Sequence, residues 1–299
     1  MVNDTKDAHV TTPPAALNYK VFNGGDAHMG FGVNSTIIYG ESEALVIDTQ
    51  FTLSNAHRLV ADILETGCNL TYIYITHFHP DHFLGLCVVH EAFPNAQVVS
   101  LPEIAEMIND AFDFKIQYWG NEVLGVNGAK RAVQLHPLNE PLILVDGQRV
   151  EVLGPLRGDS ELQSVLWVPS IRTLVAADTV FANAHVWVAD DKTPQMRQDW
   201  FDVLDQLEAL DPLVVIPGHA PSAAFVSPDA IRFTREYLTA FVEELKRCED
   251  SAQIMAAMER RYPGLATHIC LEYSAKILKE QYPWPGEWPQ ALRDLKPVF

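Results

Sequence analysis

Alternating apolar and polar positions in the first third of the chain predict a hairpin, a helix and a strand. Residues 36–39 (Thr-Ile-Ile-Tyr) and 44–48 (Ala-Leu-Val-Ile-Asp) flank a turn-like Gly-Glu-Ser-Glu, which is the pattern of a β-hairpin. Ser54 is interpreted as a helix N-cap, apolar residues then recur at helical spacing, and Gly67 ends the helix. The apolar run at 70–76 predicts a buried strand.

The rest of the chain predicts strands that alternate with helices, followed by helices alone. Helices are predicted over 83–93, from Pro102 to about 114, and over 196–210, and strands over 97–100, 142–145, 150–153, 164–168, 173–177 and 213–216. Residues 115–141 are less regular, and we expect them to form a loop over the functional site. From about Ser227 onwards the apolar spacing is helical, which predicts a helical C-terminal part.

Polar side chains that can bind metal are concentrated directly after the strand predicted at 70–76. His77, His79, Asp81 and His82 fall within six residues, a density that packing does not require. Imidazole nitrogen and carboxylate oxygen are ligands of zinc and of harder first-row ions. The segment therefore predicts a metal site, with His77 and His79 facing one ion while Asp81 and His82 point towards a possible second ion.

These residues resemble the His-x-His-x-Asp-His signature of the metallo-β-lactamase superfamily. The resemblance continues in chain order through residues 158–160 (Gly-Asp-Ser), 177–181 (Ala-Asp-Thr-Val-Phe) and 217–220 (Pro-Gly-His-Ala), and it covers roughly residues 20–225. It implies an α/β fold, a four-layer αβ/βα sandwich. We expect a single domain over 1–299, with a helical C-terminal extension over about 226–299.

The resemblance also implies a site for two divalent metal ions. The expected ligands of the first ion are His77, His79 and Asp159, those of the second are Asp81, His82 and His219, and Asp178 bridges the two ions. A metal-bound hydroxide would attack a small ester, lactone or amide. Asp81 and Asp178 are the side chains expected to take part in catalysis.

The chain departs from the superfamily pattern at Asp159, where most members have histidine. A carboxylate in this position adds one negative charge to the metal's ligands, which weakens the ion as a Lewis acid and favours ions that accept oxygen. We expect zinc, with manganese or iron as alternatives. A second interpretation makes Asp159 a turn carboxylate and takes the third imidazole from His136 or His185.

Aromatic side chains near the expected ligands indicate a mostly apolar substrate pocket. His28 and Phe31 precede the first hairpin, and His185 and Trp187 follow the expected bridging aspartate. In the resembling fold both regions can border the pocket. Such a pocket suits a lactone or ester better than a phosphodiester. The aromatic, proline-rich segment 284–289 is expected to pack on the domain or on a partner subunit.

Composition then narrows the choice of partners. The chain has 39 acidic and 21 basic residues and a formal charge of −18, which disfavours a nucleic-acid partner. The sequence contains no run of about 18 apolar residues, so no membrane span is predicted. A polar start without an apolar signal region, and four widely spaced cysteines expected to be reduced, favour a cytoplasmic protein. A small-molecule substrate is expected, and a homo-oligomer is possible.

Two other classes of function stay open at this point. A mononuclear iron oxidoreductase similar to the superfamily's sulfur dioxygenases would use the same type of histidine loop. A non-catalytic metal-binding module is conceivable because one ligand position is altered. Metal content and oxygen consumption distinguish both from a hydrolase.

Overall fold

The computed structural model of the chain describes residues 16–25 and 31–284, which form two β-sheets. The first sheet pairs its strands in chain order: β1 (Asn18–Asn23), β2 (Asn34–Tyr39), β3 (Glu43–Ile47), β4 (Asn69–Tyr74), β5 (Gln97–Ser100) and β6 (His136–Pro137). The second sheet does the same: β7 (Leu142–Val145), β8 (Gln148–Leu156), β9 (Gln163–Val168), β10 (Thr173–Phe181) and β11 (Val214–His219).

Eight α-helices accompany the sheets in the described ranges: α1 (Leu53–Leu64), α2 (Pro80–Phe83), α3 (Leu86–Ala92), α4 (Pro102–Lys115), α5 (Pro194–Ala209), α6 (Asp229–Arg247), α7 (Ser251–Arg261) and α8 (His268–Glu280). The helical C-terminal part predicted from apolar spacing is therefore present. Helix α4 continues as a wider π-helix over Ile116–Val123. The segment expected to be a loop from 115 onwards thus begins as a helix.

Strand direction explains where the polar side chains collect. β2 and β3 form the predicted hairpin, with Ile37 opposite Val46. β3, β4 and β5 then run parallel, as do β10 and β11 in the other sheet. Parallel strands deliver the residues that follow them to one edge of a sheet, and this edge carries the histidine-rich segment.

The second sheet is covered on both faces. All six residues of β9 are buried. Leu166 and Val168 pack in the core shared with the first sheet, whereas Val165 and Trp167 pack in a separate core beneath helices. Because successive side chains of a strand point to opposite faces, the sheet lies between two apolar layers.

The helices form the outer layers. Leu59 of α1 and Ile108 of α4 pack in the core of the first sheet, and Trp200 of α5 and Phe241 of α6 pack in the second core. The order of layers is therefore helix, sheet, sheet, helix. The predicted four-layer αβ/βα sandwich with a helical C-terminal extension is confirmed.

The start of α1 differs from the prediction. Thr52, two residues before Ser54, is the N-cap, and its Oγ1 accepts a hydrogen bond from the backbone N–H of Asn55. Both residues are good capping types, and the sequence does not show which one turns its hydroxyl towards the helix. Gly67 follows the helix with a φ of +72°, as its predicted role as a terminator requires.

Two predictions from composition can be compared with the described residues. All four cysteines are free thiols, as predicted, and only Cys68 is partly exposed. Across 16–25 and 31–284, every helix is too short or too polar to cross a membrane.

Candidate metal centre

The predicted ligands come from loops and strand ends of both sheets. His77 follows β4, and its backbone pairs with that of Gln163 at the start of β9. Asp159 lies between β8 and β9, and His219 is the last residue of β11. Asp178 was expected just beyond its strand but lies inside β10, because that strand continues to residue 181.

An irregularity in β10 turns Asp178 towards the site. The pairing of β10 with β11 shifts register on both sides of Ala177, whose φ is +45°. Such bulges re-aim the side chains beside them. Gly218 completes the arrangement, since a Cβ atom at this position would lie 1.8 Å from Asp178 Oδ1.

The structure brings all seven predicted ligands together in two adjacent clusters, in which the potential ligand atoms lie within 4.8 Å of one another. The first cluster is His77, His79, Asp159 and Asp178, and the second is Asp81, His82 and His219. Asp178 connects them: its Oδ2 lies 3.5 Å from His77 Nε2 and 3.1 Å from His219 Nε2, and its Oδ1 lies 3.2 Å from His82 Nε2.

Several of the inward-facing atoms lack a hydrogen-bond partner in the described part of the chain. They are His77 Nε2, His82 Nε2 and Asp178 Oδ1, all fully buried. Burying such atoms without a partner costs several kcal/mol in total, at about 1–3 kcal/mol each. Imidazole nitrogen and carboxylate oxygen aimed at one small space are the donor set of a divalent cation, so these residues fit a metal.

The outer nitrogens of two imidazoles are held by the surrounding protein. His82 Nδ1 lies 2.8 Å from Asp48 Oδ2, and Asp48 also accepts hydrogen bonds from the backbone and hydroxyl of Thr76. His219 Nδ1 donates to the carbonyl of Phe31 at 2.8 Å. With Nδ1 donating, each ring presents the lone pair of Nε2 to the cluster, which orients it for metal binding.

His79 is turned the other way. Its Nδ1 lies 3.2 Å from Asp159 Oδ2, whereas its Nε2 donates to Asp190 Oδ2 at 3.1 Å. The same oxygen of Asp190 accepts a hydrogen bond from Trp187 Nε1 at 3.0 Å. Asp190 therefore selects the nitrogen that His79 presents to the first cluster.

Asp159 is buried and firmly held. Gln163 Nε2 donates to Asp159 Oδ1 at 2.5 Å, which fixes the carboxylate beside His79. The two imidazoles considered as replacements lie outside the clusters. His136 is exposed on β6, and His185 Nδ1 pairs with the hydroxyl of Tyr237 at 2.9 Å.

Comparison with known proteins agrees with this geometry. A sequence model of the metallo-β-lactamase superfamily matches residues 28–219, a span that includes all seven clustered residues. The chain belongs to the metallo-β-lactamase superfamily.

Individual relatives are distant. A protein of Nanoarchaeum equitans described as a UPF0173 metal-dependent hydrolase is 26% identical over 190 residues, which cover 62% of this chain and 86% of the archaeal protein.

Among solved structures, a metallo-β-lactamase family protein of Thermus thermophilus has a TM-score of 0.59 at 17% identity and covers 88% of this chain and 94% of its own. The metallo-β-lactamase from Pontibacter korlensis has a TM-score of 0.55 at 19% identity, over 77% and 97%. These likenesses show the metallo-β-lactamase fold.

Beside the clusters of this superfamily member lies a cavity of roughly 740 Å³, its open mouth included. Five of the clustered residues line it: His79, Asp81, Asp159, Asp178 and His219. Half of its ten other lining residues are aromatic, namely Phe31, Phe78, Trp119, Trp187 and Trp284. Lys115 and Asp190 supply further charge to the lining. The clustered residues are thus accessible to a small molecule from a cavity whose lining is largely apolar.

The structure places the four pocket residues predicted from sequence in three different ways. Phe31 and Trp187 line the cavity. His185 does not: it is buried against Tyr237, and its backbone pairs with Ala266 near the start of α8. His28 lies outside the described residues.

Sequence reasoning missed several residues that now border the site. Asp48 carried a usable signal, since it is the polar last residue of a predicted strand and His77 directly follows another. Asp190 and Lys115 carried none, because a lone acidic or basic residue has no pattern that points to a site. Trp119 lies in the segment expected to form a loop over the functional site, and Trp284 in the segment expected to pack on the domain or on a partner subunit.

Burial and neighbouring charges shift the pKa values of the clustered groups in opposite directions. Burial, reinforced by His82, lowers the pKa of His77 to about 3. Burial would also lower the pKa of His79, but the carboxylates of Asp159 and Asp190 outweigh it and raise this pKa to about 10. The carboxylates thus create a negative potential that would stabilise a cation at this position.

Proposed function

We propose that this protein is a metal-dependent hydrolase that cleaves a small neutral ester, lactone or amide. The observation that carries the proposal is the pair of buried clusters joined by Asp178, open on one side to a cavity with aromatic walls. The description of the archaeal relative as a metal-dependent hydrolase supports the same reaction class.

Two divalent ions are the cofactors that we propose. The first would be held by His77, His79 and Asp159, the second by Asp81, His82 and His219, and Asp178 would be shared. Zinc is the first candidate, and Asp159 keeps manganese and iron as alternatives because a carboxylate suits harder ions. When bound, two such metal ions would lower the pKa of a water molecule and polarise the substrate carbonyl.

The protein's own residues supply positioning and proton transfer. Asp81 lines the cavity, and its Oδ2 lies 3.4 Å from His219 Nε2. From there the carboxylate can accept the proton of the attacking water and return it to the leaving oxygen or nitrogen. The aromatic walls leave little room for water around a bound substrate, which strengthens the electrostatic interactions inside the cavity.

The lining favours a neutral acyl compound over a phosphodiester. Among the described lining residues Lys115 is the only lysine or arginine, whereas four aspartates face the same space: Asp81, Asp159, Asp178 and Asp190. Phosphate recognition usually relies on several cationic or backbone N–H donors. A compact carbonyl substrate with an apolar body matches this lining better.

Metal analysis and a hydrolysis panel test the proposal together. We expect two ions per chain, and turnover of at least one class among lactones, aryl esters, thioesters and amides. The variant His219→Ala should lose turnover and part of the metal content. Two bound ions without turnover of any class would refute the hydrolase, and iron alone with oxygen consumption would select the oxidoreductase.

A further inference from the structure

The C-terminal extension forms one wall of the cavity. Ile269 and Cys270 from the first turn of α8, and Trp284 beyond the end of α8, all line it. These residues lie outside the span matched by the superfamily sequence model, which ends at residue 219. The extension therefore contributes directly to the surface that a substrate meets, in addition to covering the second sheet.

Trp284 joins aromatic side chains that come from distant parts of the chain. Its ring centroid lies 5.7 Å from that of Trp119, 5.5 Å from that of Trp187 and 4.3 Å from that of Tyr273. Trp119 belongs to the π-helix after α4, and Trp187 follows β10. Trp119, Trp187 and Trp284 all line the cavity, and we call these three residues the tryptophan wall.

The tryptophan wall is connected to the first metal cluster. The indole N–H of Trp187 donates to Asp190, which also accepts the hydrogen bond of His79 Nε2. The rings of His79 and Trp187 lie 6.3 Å apart in an edge-to-face arrangement. A planar group stacked on the wall would therefore lie at a defined distance from the clustered ligands.

Charge at the cavity selects the kind of aromatic group. Indole faces also attract cations, but the ammonium group of Lys115 lies 4.7 Å from the ring centroid of Phe78 in the same lining. The four aspartates of the lining would be offset by the two divalent ions that we propose, so a cationic ligand would meet those ions and the ammonium group of Lys115, whereas a neutral aromatic ring is not repelled by either. Offset or edge-to-face contacts between aromatic rings give affinity beyond the burial of area alone.

We propose that the tryptophan wall binds an aromatic group of the substrate, and that Trp284 makes the C-terminal extension a determinant of substrate selectivity. This inference rests on the proposed hydrolase function and names its substrate class: esters, lactones or amides that carry a neutral aromatic ring.

The test compares aromatic substrates with saturated ones of the same shape. One pair, methyl phenylacetate and methyl cyclohexylacetate, varies the acyl part, and the other, benzyl acetate and cyclohexylmethyl acetate, varies the alcohol part. We expect the wild-type protein to prefer the aromatic member of at least one pair by kcat/KM. In Trp284→Ala this preference should fall about tenfold, while Trp284→Phe should retain part of it.

Tyr282→Ala is the matched control. Tyr282 lies on the same segment and its ring centroid is 6.2 Å from Tyr273, but it does not line the cavity. The aromatic preference should survive in this variant. Equal losses for aromatic and saturated substrates in Trp284→Ala, or an unchanged preference, would overturn the proposal. If Trp284→Ala does not fold, the preference of Trp284→Phe decides, and a wild-type value would refute the wall.

Binding of the products separates failure of the wall from failure of the hydrolase. Calorimetry with phenylacetate and cyclohexylacetate needs no turnover, and metal-loaded wild type should bind phenylacetate more tightly. If phenylacetate binds tightly, Trp284→Ala abolishes this binding and no ester is hydrolysed, the proposed role of the tryptophan wall is supported and the proposed hydrolase activity is refuted. If esters are hydrolysed but neither turnover nor binding favours aromatic compounds, the proposed hydrolase activity is supported and the proposed role of the tryptophan wall is refuted.

Discussion

Asp190 offers the sharpest test of how the protein prepares His79 for a metal ion. Its Oδ2 accepts from His79 Nε2 at 3.1 Å and from Trp187 Nε1 at 3.0 Å. In Asp190→Asn, the amide keeps a similar volume but loses the charge that both donors face. A hydrogen bond to a charged group contributes about 1.5–3 kcal/mol, and such partners of metal-binding histidines alter metal affinity about 10- to 100-fold.

We therefore expect Asp190→Asn to weaken binding of the ion proposed at the first cluster, to which His79 belongs, by about 10- to 100-fold, or about 1.4–2.7 kcal/mol. Competition between the protein and a chromophoric chelator measures this affinity for zinc and for manganese. The neighbouring Asp191 is the matched control, because its Oδ1 pairs with Arg157 at 3.0 Å and it belongs to neither metal cluster. Asp191→Asn should lower stability and leave metal affinity within about twofold.

Two results would refute this reasoning. Unchanged metal affinity in Asp190→Asn would show that the carboxylate does not orient His79. Equal loss of affinity in both variants would show that the effect arises from general disturbance of the segment rather than from the hydrogen bond to the imidazole.

Three further predictions concern Gly218, Asp159 and His185. Gly218→Ala should lose at least one ion by elemental analysis, because its Cβ would lie 1.8 Å from Asp178 Oδ1; wild-type metal content would refute this. Asp159→His should shift metal preference from manganese towards zinc in a competition assay, and an unchanged preference would remove Asp159 from the metal's ligands. Burial, together with His268, lowers the pKa of His185 to about 4. The unfolded chain therefore binds this proton first, near pH 6.5, and stability falls from about pH 6.5 to 4 by up to about 3 kcal/mol. Urea unfolding at pH 7 and 5 should show a smaller loss in His185→Asn, and equal losses in both proteins would contradict the assignment.

The candidate metal site shows which features of the structure can be predicted from residues that are adjacent in sequence. Four of the candidate ligands lie within six residues of sequence, and their types and spacing alone predict a metal site: His77, His79, Asp81 and His82. The hairpin and the helices follow from apolar periodicity for the same reason, since each repeats within a few residues. These features depend on neighbours along the backbone, and the structure has them close to their predicted positions, although the helix predicted over 83–93 is divided into α2 and α3 and several element ends differ by a few residues.

Contacts between distant residues were decided only by the packing of the two sheets and their helices. Asp190 meets His79 across 111 positions of sequence, and Trp284 reaches Trp119 from the far end of the described chain. His185, close in sequence to Trp187, points instead to Tyr237. Local sequence patterns predicted the fold class and the group of candidate metal-binding side chains. The tertiary structure decided which residues orient those side chains and enclose the cavity, because such contacts depend on how whole layers meet, and no local pattern encodes that.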